Sequence, residues 1–136
     1  MRRSVGELRA EILKAGRGAG LPLGTAEDFA MAAPWIGPDA LSELVALLAR
    51  SDGAAVLTGM SLDLDIRAMG EVGQGTDGTA LWTALCASRD GTEVPEPCDV
   101  DADVWSRLSR VAARTYVPET ELSRARGAGA GNIDND

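Results

Sequence analysis

The residues best placed to do chemistry form a repeated tetrapeptide. Arg-Gly-Ala-Gly occurs as Arg17–Gly20 and again as Arg126–Gly129, where it runs on into Ala130 and Gly131. Glycines let a backbone approach another group closely, and consecutive backbone N–H groups beside an arginine can make a concave anion site. A site of this kind would use Arg17 with Arg124 or Arg126 to flank an anion, and the backbone at Gly18, Gly20, Gly129 and Gly131 to approach it. A plainer reading makes each copy a helix C-terminus, since glycine after a helix is a common cap. The first copy alone reads best as a cap. The second reads as a ligand or docking segment, because a cap has no need of three alternating glycines.

The acid–base candidates are carboxylates and one serine. The chain contains no histidine, which excludes Ser–His–Asp and Cys–His catalysis and every histidine-ligated metal site. Proton transfer would fall to Glu27, Asp28, Glu121, Asp134 or Asp136, or to a Ser123 activated by Lys14, Tyr116 or Glu121. Lys14 is the one lysine of the chain. The carboxylates match no metal-binding spacing, and the acidic end lacks the further ligands of an EF-hand, so no metal is expected and no cofactor is indicated. Glu27 and Asp28 also read simply as first-turn helix charges. Asp63 and Asp65 read as the wet side of a half-buried strand. Gly73-Gln74-Gly75 lacks the Gly-Lys-Ser/Thr of a phosphate loop. Trp35, Trp82 and Trp105 read as core or interface residues.

Composition narrows the partners. A net charge of −8 argues against a nucleic-acid binder, which needs a cationic face to displace phosphate counterions. Cys86 and Cys98 form no CxxC pair and suit a reducing cytoplasm, with Cys86 expected in the core. The apolar runs fall short of a membrane span, and no secretory signal follows Met1-Arg2-Arg3, so neither membrane nor export is expected. With 136 residues and 45 % hydrophobic content, the expectation is one cytoplasmic domain, residues 1–136, ending in a glycine-rich acidic tail, 127–136.

Periodicity supplies the elements that must position these groups. Ser4 and Glu7 have capping-box spacing ahead of Val5, Leu8, Ile12 and Ala15, which predicts a helix to about residue 16, ended by Gly16, Gly18 and Gly20. Thr25 is expected to cap a second helix that Pro34 stops. Gly37-Pro38-Asp39 opens a third, with Leu41, Leu44, Val45 and Leu48 as its stripe. The pattern then reads as strands: Ala54–Gly59, Ser61–Arg67 with Leu62, Leu64 and Ile66 on one face, and Thr79–Ser88. A glycine loop, 70–78, separates them, and Asp90-Gly91 reads as a hairpin turn into Thr92–Val94. Asp101 or Asp103 caps a last long helix through Val104, Leu108, Val111, Ala112 and Thr115, and residues 118–126 can form a short one. The fold class expected is therefore α+β, with helices at both ends packed on a small, mostly antiparallel sheet.

Two segments carry a resemblance. Lys14-Ala15-Gly16-Arg17-Gly18-Ala19-Gly20 with Gly24, Ala26-Glu27-Asp28 and Trp35 form the first. Arg114-Thr115-Tyr116-Val117-Pro118 with Thr120-Glu121, Ser123-Arg124, Gly127–Gly131 and Asp134-Asn135-Asp136 form the second. Together they resemble an uncharacterised bacterial family, a domain of unknown function. The resemblance brings no activity; it implies that these segments are signature positions. The leading expectation is a protein that binds, with or without transforming it, an anionic or carboxylate small molecule where the two signature ends meet. The alternative is a non-catalytic accessory or assembly protein whose tail docks into a partner subunit or a second copy, as a homo-oligomer. A shortened relative that keeps the fold and has lost the activity is a third reading.

Overall fold

A computed structural model describes residues 2–68, 78–91 and 99–115. Among these residues the architecture is helical. The elements are α1 (Val5–Gly18), α2 (Leu23–Met31), α3 (Pro38–Ala49), α4 (Gly53–Ala68), α5 (Thr79–Asp90) and α6 (Ala102–Ala112), with short 3-10 turns at Ala33–Trp35 and Ala113–Thr115. No strand occurs among the described residues; an isolated antiparallel bridge joins Arg2 to Asp99. The expected α+β class, with its antiparallel sheet, is overturned.

The ends of the chain's helices follow local chemistry. The Glu7 N–H donates to Ser4 Oγ at 3.1 Å while the Ser4 N–H donates to Glu7 Oε1 at 3.3 Å, a complete capping box that satisfies two orphan donors of α1. α1 does not stop at Gly16 but runs through Gly18. Its end is a Schellman motif: the Leu21 N–H reaches Gly16 O at 2.9 Å, the Gly20 N–H reaches Arg17 O at 3.1 Å, and Gly20 sits at φ +90°. α2 begins at Leu23, so the expected cap Thr25 lies inside its first turn and is buried instead. Pro38 occupies the start of α3 as the sequence suggests. Asp101 Oδ1 accepts from the Asp103 and Val104 N–H groups at the head of α6.

α1 is the central helix, with α2 against one side and α6 against the other. Two of its glycines make this possible. A Cβ on Gly16 would lie 2.9 Å from Ala26 Cβ of α2, and one on Gly18 would lie 2.2 Å from Val111 O of α6. Leu8, Ile12 and Ala15 complete its buried stripe. α3 lies against α5, α4 and α6, and its Leu41, Leu44, Val45, Leu47 and Leu48 are all buried. These residues join Phe29, Leu57, Leu81, Leu85 and Leu108 in one contiguous core. Each such side chain contributes about 1.5–3 kcal/mol on burial.

The segments read as strands are α4 and α5. In α4, after the buried Gly53 at its start, Leu57, Met60, Ser61 and Leu64 are buried, spaced i, i+3, i+4, i+7. Leu62 is 58 % exposed and Ile66 38 %, against 3 % for Leu64, so the alternating leucines do not share a face. In α5 the buried set is Leu81, Ala84 and Leu85, again at helical spacing. Both segments are rich in Ala and Leu, among the best helix formers, with few β-branched residues. Tertiary contacts on three neighbours then settle a pattern that is apolar on more than one side. Asp90-Gly91 ends α5 with Gly91 at φ +67°. A left-handed glycine serves a helix C-cap and a hairpin turn alike, which is why the dipeptide signals both. The candidate strand Thr92–Val94, Cys98, the helix over 118–126 and nearly all of the 70–78 loop lie outside the described residues.

Candidate functional site

The Lys14–Gly20 part of the amino-terminal segment occupies the last turns of α1 and its cap. Leu13, Lys14 and Arg17 line a depression of about 470 Å³ together with Thr115. Lys14 and Thr115 also line an adjoining one of about 400 Å³ with Glu11, Ser109, Ala112 and Ala113. The first residues of the carboxy-terminal signature, Arg114 and Thr115, thus lie directly on the amino-terminal one. The close approach at Gly18 is the reason: a Cβ there would stand 3.1 Å from Arg114 Cβ as well as against Val111 O.

The side chains in this groove are largely free to act on something else. Lys14 Nζ is 3.8 Å from Glu11 Oε1, a loose i,i+3 contact, and the Lys14 side chain is 60 % exposed. Arg17 is exposed and donates to Leu21 O at 3.2 Å. Thr115 Oγ1 donates to Ala112 O at 2.8 Å. The groove therefore presents one ammonium and one guanidinium, with a single half-buried carboxylate beneath. Such a set can hold an anion by charge-assisted hydrogen bonds. The amides near Gly20 are less available, because those of Ala19, Gly20 and Leu21 bond back to Ala15, Arg17 and Gly16. Gly18 lies inside α1, with α6 filling the space beside it.

The remaining predicted site residues are dispersed. Glu27 is exposed on α2 and lines neither depression. Its neighbour Asp28 turns inward and accepts a hydrogen bond from the buried Ser61 hydroxyl, tying α2 to α4. Ser123, Arg124, Arg126, Gly129, Gly131, Asp134 and Asp136 lie outside the described residues, as do Tyr116 and Glu121. Asp63 and Asp65 are two residues apart on a helix rather than on one strand face, and Asp65 pairs with Arg89 at 3.1 Å. Trp35 and Trp82 pack against the core, while Trp105 stacks under the Arg3 guanidinium, 4.1 Å from the ring centroid. No group of three metal-ligating side chains occurs among the described residues.

Electrostatics outside the groove are those of ordinary ion pairs. Arg67 grips Asp90 at 3.1 and 2.9 Å and holds its carboxyl below the usual range. Arg50 does the same to Asp52, and Arg3 to Glu7. Burial pushes the half-buried Cys86 thiol up, partly offset by Arg67. Cys86 is partly buried and packs against the core rather than within it. No helix among the described residues is long and apolar enough to cross a membrane.

With this geometry in view, the chain can be compared with known proteins. A family model described as a protein of unknown function, DUF3726, matches residues 3–70. The chain belongs to this family. The DUF3726 match spans α1 to α4 and includes Lys14, Arg17 and Glu27, whereas Thr115 and the residues after it lie beyond it. No curated protein and no solved structure matches the chain.

Sequence reasoning missed Lys14 as part of the anion-facing groove and missed Asp28 as the partner of Ser61. The first signal was present, since Lys14 and Arg17 are i,i+3 on a helix and must share a face. The second was not, because Asp28 and Ser61 are 33 residues apart.

Proposed function

We propose that the protein binds an anionic, carboxylate-bearing small molecule where its two signature ends meet. One observation carries this reading: Lys14 and Arg17 of the first segment line a single groove with Thr115, at the threshold of the second. Lys14 and Arg17 set a local positive patch in a chain of net charge −8, and such a patch favours an anionic occupant. Lys14 and Arg17 grip the carboxylate, Glu11 orients Lys14, and the segment from Tyr116 onward supplies the rest, with Arg124, Gly129 and Gly131 as its contact residues. Glu27, Ser123, Asp134 and Asp136 remain the acid–base candidates should the ligand be transformed. The expected setting is the cytoplasm.

The test is a thermal-shift panel of mono-, di- and tricarboxylates, phosphates and nucleotides on wild type, Arg17→Ala and a chain ending at Arg126. A ligand bound to the native state raises the midpoint in proportion to the logarithm of its concentration. The expected result is a carboxylate hit on wild type that both variants lose. If no carboxylate shifts any of the three proteins, the reading fails.

A second reading, assembly with another copy, draws on the exposed Leu62 and Ile66, one turn apart on α4. Light scattering that gives the monomer mass at high concentration would remove it.

A further inference from the structure

A different cationic cluster stands on the other side of α6. Arg107, Arg110 and Arg114 follow one another at successive turns and line one small cleft against α3, floored by Val45, Ala49 and Val111. Several other described arginines have partners. Arg3 pairs with Glu7, Arg67 with Asp90 and Arg89 with Asp65, and Arg9 donates to Ala30 O. Arg107 has only a 3.9 Å contact with the exposed Asp103. No acidic side chain among the described residues pairs with Arg110 or Arg114.

Like charges at i,i+3 and i,i+4 on a helix repel. A helix C-terminus favours cations, which accounts for a residue in the last turn. It does not account for Arg107, which lies in the middle of α6. Nor does it account for three guanidiniums around one cleft. Among the described residues, Arg110 and Arg114 face no carboxylate and Arg107 meets only the exposed Asp103, so the cleft favours an anion from outside.

The cleft's size restricts that anion. Its volume is about 170 Å³, below the range of about 300–1,000 Å³ for sites that enclose whole drug-sized ligands. It takes one compact charged group. Three guanidiniums carry more charge than one carboxylate balances. A phosphate is dianionic and offers three terminal oxygens, each able to accept from a guanidinium fork. We infer that Arg107, Arg110 and Arg114 form a phosphate-binding site between α3 and α6, distinct from the carboxylate groove at the signature ends. Arg114 opens the second signature segment, but none of the three arginines lines the Lys14–Arg17 groove, so the site stands apart from it.

The bound species is inorganic phosphate or the phosphate end of a small ester, and the two are separable. Calorimetric titration at low ionic strength uses inorganic phosphate in one arm and glycerol phosphate in the other, with acetate and chloride as controls. Wild type is expected to bind phosphate saturably at one site and the controls at least tenfold more weakly. Arg110→Ala, at an exposed position, is expected to weaken phosphate tenfold or more, with Arg107→Ala as the second variant, while Arg17→Ala leaves it unchanged. Tighter binding of the ester than of free phosphate identifies a phosphorylated molecule as occupant, and the reverse identifies the free ion. Binding no tighter than chloride overturns the inference. So does phosphate binding that survives both Arg107→Ala and Arg110→Ala. Binding lost in Arg17→Ala alone would place phosphate in the carboxylate groove and overturn this site while leaving that one standing.

Discussion

Helices α1 and α4 are of similar length, 14 and 16 residues, yet they are held in opposite ways. α1 is capped by side chain at one end and by a Schellman turn at the other, and it lies between α2 and α6 with glycines where each neighbour crosses. α4 begins on a glycine pressed against the previous helix, carries apolar residues on more than one side, and leaves Leu62 and Ile66 exposed. The contrast teaches that two kinds of instruction make these helices. α1 is specified locally, by caps and by a clean apolar stripe. α4 is specified by its surroundings, through Leu57, Met60, Ser61 and Leu64 meeting the core.

The tightest junctions should break most severely. A Cβ on Gly53 would lie 1.6 Å from Leu47 O, which no side-chain adjustment relieves. Gly53→Ala is expected to cost about 3 kcal/mol or more in urea unfolding, by forcing α3 and α4 apart. A cost below about 1 kcal/mol would mean the α3–α4 turn is not packed as described.

At the centre of the fold, Gly18→Ala meets Val111 O at 2.2 Å and should destabilise by roughly 2–3 kcal/mol. It should also displace Thr115 from the Lys14–Arg17 groove. Carboxylate binding would then weaken beyond what lost stability explains, as titration well below the melting point would read.

The helical register of α4 can be tested directly. Leu64→Ala is expected to cost about 2–5 kcal/mol and Leu62→Ala well under 1 kcal/mol, because only Leu64 is buried. A strand with Leu62, Leu64 and Ile66 on one face would make the two substitutions equally costly, so equal effects in chemical unfolding would refute the helix.

The smallest effect concerns pH. Glu7, Asp52 and Asp90 have carboxyls lowered by their arginine partners in the folded state. A lowered folded value contributes stability above the unfolded carboxylate range near 4, and that stability is lost as pH falls through the folded values. Thermal midpoints should therefore fall on acidification below about pH 4. Asp90→Asn should flatten that acid limb slightly and change little at neutral pH, since the pair is surface-exposed. An acid limb unchanged in Asp90→Asn would separate the Arg67–Asp90 contact from folding stability.

The candidate site was legible in part for the same reason that α1 was. Lys14, Arg17 and the cap glycines sit close in sequence, so local rules placed them on one helix end. Their meeting with Thr115 depends on α6 crossing α1 at Gly18, a contact between residues about a hundred positions apart in sequence. Glu27 and Asp28 show the limit of neighbourhood in sequence: adjacent in the chain, one faces solvent and the other Ser61. The cleft of Arg107, Arg110 and Arg114 exists only through the approach of α3, which supplies Val45 and Ala49.

Sequence by itself determined the helices whose ends carry their own chemistry: Ser4 and Glu7 on α1, Gly37-Pro38 on α3, Asp101 on α6. These signals are satisfied within a few residues, so no distant contact is needed to read them. Only the tertiary structure decided that the middle of the chain is helical. There the apolar residues surround the segment, period two and period 3.6 both fit, and the choice falls to which side chains the neighbouring helices bury.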